Sequence, residues 1–165
     1  MLYADGPSVA VETLVHAPIG RVWALVTDID LPARFSEELQ GVEWLDHPHR
    51  APGVGSRFTG RNAHRYAGEW ETISVVTRWD VEAAFEWAVG DADFPSARWR
   101  FSLDRVGDDV VLRQWAQLGP APSGLTPAIE AMPDKEEQIV ARRLGEHRAN
   151  MQRTVEGIKQ LAEEG

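Results

Sequence analysis

The chain has 165 residues, 43% of them hydrophobic and 26% charged, the balance of a globular domain able to bury a sizeable core. A formal net charge of −9 argues against nucleic-acid or anionic-membrane partners, since both need a basic surface. The absence of cysteine excludes disulfides, thiolate nucleophiles and cysteine-based metal sites.

No run of about 18 apolar residues occurs, so no stable membrane insertion is expected. Met1–Pro7 lacks a basic segment followed by an apolar run, so no signal peptide is expected and the cytoplasm is the default location. The simplest organisation is one domain over residues 1–165.

In chain order, Ser8–His16 reads as a first strand with Val9, Val11, Thr13 and Val15 on one face. Pro18 then suits the first turn of a short helix whose buried side is Ile19, Val22, Trp23 and Val26. Asp28–Pro32 is a turn signal, followed by a second short helix near Ala33–Glu38. From there the period changes to two. Strands are expected over Gln40–Asp46, Gly55–His64, Glu69–Trp79 and Val81–Val89, with a Pro- and Gly-broken loop from His47 to Gly53. The clearest strand is Ser96–Val106, where Ala97, Trp99, Phe101 and Leu103 alternate with Arg98, Arg100, Ser102 and Asp104. Gly107-Asp108-Asp109 turns it into a hairpin with Val110–Leu118, whose Val110, Leu112, Gln114 and Ala116 share a face. A loop rich in Pro and Gly leads to a short helix at Ala128–Met132.

The last segment, Pro133–Glu164, is the longest and most regular. Val140, Leu144, His147, Met151, Val155, Ile158 and Ala162 follow at steps of 4, 3, 4, 4, 3 and 4, one face of an α-helix. At about 1.5 Å per residue it would run roughly 50 Å, long for a packing helix in a small domain. One member of that apolar stripe, His147, is polar. Strands in a run with helices set apart mean an α+β fold.

This order of elements resembles the START-like or helix-grip superfamily, and within it the polyketide cyclase/dehydrase and lipid-transport (SRPBCC) family. The residues that carry the likeness are the apolar strand Val11–Val15 with Ala17-Pro18, then Val22-Trp23 leading to Asp28. Gly53-Val54-Gly55 before a Phe-bearing strand, Ala84-Phe85-Glu86-Trp87 and the closing hairpin agree. The likeness runs from Val9 to Ala162. It implies a START/Bet v 1-like curved antiparallel sheet of about seven strands around the long C-terminal helix, with two short helices between strands 1 and 2 and a cavity between sheet and helix. It further implies a lipid, sterol, polyketide, hormone or aromatic ligand, with catalysis in a minority of members. Fold alone does not choose among these.

Seven tryptophans are spread along the chain, and large rings either fill cores or line pockets for apolar ligands. On the inferred inward faces the ligand-binding candidates are Phe58, Asn62, Trp70, Trp87, Trp99, Phe101 and Gln114 from the sheet, with His147 and Met151 from the helix. Thr72, Ser74 and His64 share those faces, and a one-residue slip would turn Asn62 and His64 outward. His147 has two readings: a polar group aimed into the cavity to orient a ligand or move a proton, or a core histidine bonded to the sheet or to water. Gln114 is informative because burial without a partner is costly.

His47 and His49 with His64 form a weak zinc candidate, since prolines make the first pair a loop feature and no spacing is diagnostic. No metal and no cofactor is expected. Arg98, Arg100, Arg113 and Trp115 fall on the outer sheet face, where guanidinium can stack on indole, as solvated surface or as a homodimer contact. The expected function is binding of an apolar small molecule between sheet and helix. The alternative is a cyclase/dehydratase-type enzyme with His147 as acid/base, and a third reading is an interaction domain with a closed cavity.

Overall fold

The computed structural model describes residues 1–45 and 51–165. Seven strands form one sheet: β1 (Ser8–Val15), β2 (Leu39–Trp44), β3 (Arg57–His64), β4 (Gly68–Asp80), β5 (Ala84–Asp91), β6 (Phe94–Val106) and β7 (Asp109–Leu118). Every neighbouring pair is antiparallel, in the order β1-β7-β6-β5-β4-β3-β2. β2 to β7 therefore form a meander, and β1 closes the far edge against β7. Between β1 and β2 the chain crosses the open side of the sheet through α1 (Ile19–Val26) and a 3-10 turn at Leu31–Arg34.

The sheet does not lie flat. Register shifts fall at Leu39/Gly41, Val76/Arg78 and Val89/Gly90. Each extra residue bends its strand and increases the local twist, so the sheet curls into a half-barrel. α2 (Thr126–Ala131) and a 3-10 turn at Pro133–Lys135 lead into α3 (Glu136–Glu164), which lies in the concave side and packs on β1, β7 and α1. This is the helix-grip fold.

The core follows the alternation of each strand. Val9, Val11 and Val15 of β1, Phe85 of β5, Phe101 and Leu103 of β6, and Val110 and Leu112 of β7 are buried against Met151, Val155, Ile158 and Ala162 of α3. α1 adds Ile19, Val22 and Val26, spaced as the inner face of a short helix. Full burial of each such side chain contributes about 1.5–3 kcal/mol.

Two expectations about the helices are corrected. No α-helix forms over Ala33–Glu38: the turn ends at Arg34, and Ser36 Oγ accepts the backbone N–H groups of Glu38 and Leu39, each at 3.1 Å, which bends the chain into β2. Pro133 opens a 3-10 turn closed by Lys135 N–H on Met132 C=O at 2.9 Å, and the α-helix begins at Glu136. Its 29 residues span about 44 Å, close to the length expected. The stripe lies inward as the spacing predicts, with Leu144 only half-buried and Thr154 and Gly157 joining it. On the outer face Arg100 stacks over Trp115 at 4.4 Å and pairs with Glu86 at 3.1 Å.

Candidate functional site

Between the curl of the sheet and the middle of α3 lies a cavity of about 150 Å³. The sheet presents Phe58, Gly60 and Asn62 of β3, Thr72 and Ser74 of β4, Phe85 and Trp87 of β5, Trp99 and Phe101 of β6, and Gln114 of β7. Those positions alternate along each strand, so period two carries them all to one face. α3 supplies His147, Asn150, Met151 and Thr154, spaced to line one edge of a helix.

Eight of the nine residues singled out in the sequence thus meet around one space: Phe58, Asn62, Trp87, Trp99, Phe101, Gln114, His147 and Met151. Trp70 does not line it. It shares the inward phase of β4 but sits opposite Asn62, past Thr72 toward the β3–β4 turn, beyond the part of the sheet that the cavity reaches. The register turns Asn62 inward, where its amide donates to Gly60 C=O at 3.4 Å.

The remaining wall was not foreseen. Val26, Ile29, Pro32, Ser36, Glu38, Leu39 and Val42 close the cavity from the crossing segment and β2. Nothing periodic marks the irregular part of that wall, from Ile29 to Glu38, as lining. Asn150 and Thr154, in contrast, follow from His147 by helical spacing and were within reach of sequence reasoning.

Phe58, Phe85, Trp87, Trp99 and Phe101 give the cavity an aromatic wall. Rings run in contact from α1 to α3: Trp23 to Trp79 at 5.5 Å between centroids, Trp79 to Phe85 at 5.2 Å, Phe85 to Trp87 at 5.0 Å, Trp87 to Trp99 at 6.4 Å and Trp99 to His147 at 4.9 Å. The planes of Trp87 and Trp99 lie within 10° of each other, whereas His147 meets Trp99 edge-on at 83°. Such offset and edge arrangements hold rings in place beyond the effect of burial alone.

Polar side chains from the sheet, the crossing segment and the helix interrupt this surface, Gln114 and His147 among them. Gln114 is 5% exposed, and its Oε1 has no hydrogen-bond partner among the described residues. His147 is 7% exposed, and neither of its ring nitrogens has a protein partner among the described residues. Burial pushes its pKa down to about 3, the Arg143 charge acts in the same direction, and Glu146 opposes both weakly. At neutral pH the ring is therefore an uncharged imidazole, with one nitrogen donating and the other accepting.

At the mouth of the cavity, α3 is tied to the sheet and the crossing segment. Arg143 donates to both oxygens of Glu38, at 2.5 and 2.8 Å, and to Glu146 at 3.3 Å; His64 Nε2 lies 2.8 Å from Glu146 Oε2. Burial pushes the Glu146 carboxyl up, but the His64 hydrogen bond and the Arg143 charge outweigh it and hold it below the usual range. Glu38, His64 and Glu146 bring their ligand atoms within 4.8 Å of one another, a spacing open to a metal. Arg143 already provides the positive charge that these carboxylates need, so the cluster is an ion-pair network, which a cation would have to break. His47 and His49, the other half of the zinc candidate, lie outside the described residues. A second recess, beside Pro18 and Gly107, is walled by charges that pair locally, Arg105 with Glu82 at 3.0 Å and Asp109 with His16 at 3.1 Å.

A curled antiparallel sheet gripping one long C-terminal helix defines the START/Bet v 1-like fold class. The chain belongs to the polyketide cyclase / dehydrase and lipid transport family, whose profile matches residues 7–163. Among solved structures, a Polyketide_cyc-like protein from Corynebacterium glutamicum is 27% identical, with a TM-score of 0.65 over 94% of this chain and 91% of that one. The Zhui aromatase/cyclase from Streptomyces sp. R1128 is 14% identical, with a TM-score of 0.65 over 93% and 94%. A START superfamily protein from Mycobacterium smegmatis is 14% identical, with a TM-score of 0.61 over 93% and 98%. The last two likenesses are likenesses of fold. No curated protein matches the sequence. No described helix is long and apolar enough to cross a membrane.

Proposed function

We propose that the protein binds a small, mostly aromatic molecule between sheet and helix. The observation that carries this reading is Gln114 Oε1, which has no partner among the described residues and is buried at a cavity that also presents the rings of Phe58, Phe85, Trp87, Trp99 and Phe101. Orphaned buried acceptors are rare because each costs about 1–3 kcal/mol, and a ligand that donates to one recovers that cost. Size narrows the occupant. The cavity, at about 150 Å³, is below the roughly 300–1,000 Å³ of pockets for drug-sized ligands. A cavity of about that size lined by apolar side chains accepts a benzene ring. A lipid chain or a multi-ring polyketide needs more room than the walls leave as they stand.

The cyclase/dehydratase alternative has less support. A proton shuttle works best with a pKa near the operating pH, and burial leaves His147 unprotonated well below neutrality. Glu38 at the mouth is already engaged by Arg143. His147 then orients a ligand rather than exchanging a proton with it.

Native mass spectrometry of the protein incubated with toluene and phenol tests the reading, with Thr72→Trp as the blocked control. The expected result is a bound species in the wild type that is absent from the variant. Equal uptake by both proteins, or none by the wild type, refutes it.

A further inference from the structure

We infer that the cavity selects an uncharged single-ring aromatic alcohol, of the phenol class, whose hydroxyl hydrogen-bonds to the Gln114 amide. This rests on the proposed binding function and specifies its ligand.

The site offers no free positive charge among its described lining residues. Among the described lining residues, Glu38 and His147 are the only titratable ones. Glu38 is doubly bonded to Arg143, and the Arg143 guanidinium is itself occupied by Glu38 and Glu146. Among the described lining residues, no cation is free to neutralise a carboxylate or phosphate. Two carboxylates stand at the mouth, and His147 carries no charge at neutral pH. Burying an unpaired anion there would cost several kcal/mol, so anionic ligands are rejected.

The unpartnered amide then decides among neutral ligands. Gln114 Oε1 accepts and needs a donor. Rotating the amide by half a turn exchanges oxygen for nitrogen and would call instead for an acceptor. A hydroxyl is both donor and acceptor, so it satisfies either orientation; an ether or a ketone satisfies only one. Gln114 pairs across the ladder with Phe101, and Ala116, two residues on, pairs with Trp99, so the amide sits beside two rings. A flat ring placed against Trp99 and Phe101 brings its substituent to the amide. The volume leaves room for one ring.

Isothermal titration at pH 7 with phenol, toluene, anisole and benzoate, on the wild type and on Gln114→Leu, is the test. Leu preserves the bulk of the side chain and removes the orphan, so the variant is expected to fold at least as well as the wild type. The wild type should bind phenol about tenfold more tightly than toluene or anisole, the worth of one buried hydrogen bond. Benzoate should not bind measurably. In Gln114→Leu the phenol preference should vanish while toluene binding persists. If phenol and toluene bind the wild type equally, or if Gln114→Leu keeps the preference, the phenol assignment fails and the aromatic-binding function stands. Measurable benzoate binding also overturns the assignment. If none of the four binds either protein, both the assignment and the binding function fall.

Discussion

At the scale of single residues, His147 couples the cavity to pH. In the folded protein it takes up a proton only near pH 3, whereas in the unfolded chain it does so near the ordinary 6.5. Between those values the unfolded state binds the extra proton, so stability rises with pH across the window and falls as the solution is acidified. Moving from pH 7 to pH 5 should cost about 2 kcal/mol through this group alone. His147→Phe keeps a ring against Trp99 and removes the titration. Urea unfolding at pH 5 and pH 7 should therefore show a smaller pH effect in the variant than in the wild type. Identical pH effects would mean that the buried ring is not held neutral. The histidine was visible in the sequence as the one polar member of an apolar stripe, and Gln114 as a polar residue in a buried phase. Their lack of partners was not visible, because that depends on what sits across the fold, and spacing along one element carries no such information.

At the scale of elements, α3 owes its close fit to a residue that the apolar stripe does not advertise. A Cβ at Gly157 would overlap the ring of Phe35, so glycine there lets the crossing segment lie against the helix. In an exposed helix Gly→Ala stabilises by about 1 kcal/mol. Here Gly157→Ala should destabilise by roughly 1–3 kcal/mol, the usual cost of overpacking, or push Phe35 out together with the wall formed by Pro32, Ser36 and Glu38. In a Phe35→Ala background the same change should become neutral or stabilising. Thermal unfolding of the two single variants and the double variant checks this, and additive effects would show that the two residues do not share the space. The helix itself was legible because its period persists over 29 residues. The helical piece between β1 and β2 ends at Arg34 rather than reaching Glu38, because the chain beyond it is set by one serine hydroxyl and by Phe35 docking on a glycine about 120 residues away.

For the molecule as a whole, alternation along β5, β6 and β7 was enough to orient most of the sheet, because one face is buried and a slip would expose it. The bulges that curl the sheet, and hence the size of the cavity, were not legible: a one-residue shift such as that between Val76 and Arg78 leaves the pattern of apolar residues nearly unchanged. The helix packs on β1, β7 and α1, and the crossing segment closes the far side, so no part has a core of its own. Unfolding by urea should accordingly be one transition, coincident by tryptophan fluorescence and by far-ultraviolet circular dichroism. Separate midpoints would reveal independent units. The pairing of β1 with β7 carries a further consequence, which concerns time. Ser8–Val15 finds its neighbour, Val110–Gln117, only about 100 residues later. At roughly 5–20 residues per second, a nascent chain holds that apolar strand without a partner for about 5–20 s. The first strand made is among the last to be placed, and over that interval Val9, Val11 and Val15 need shelter from other chains more than the finished protein ever does.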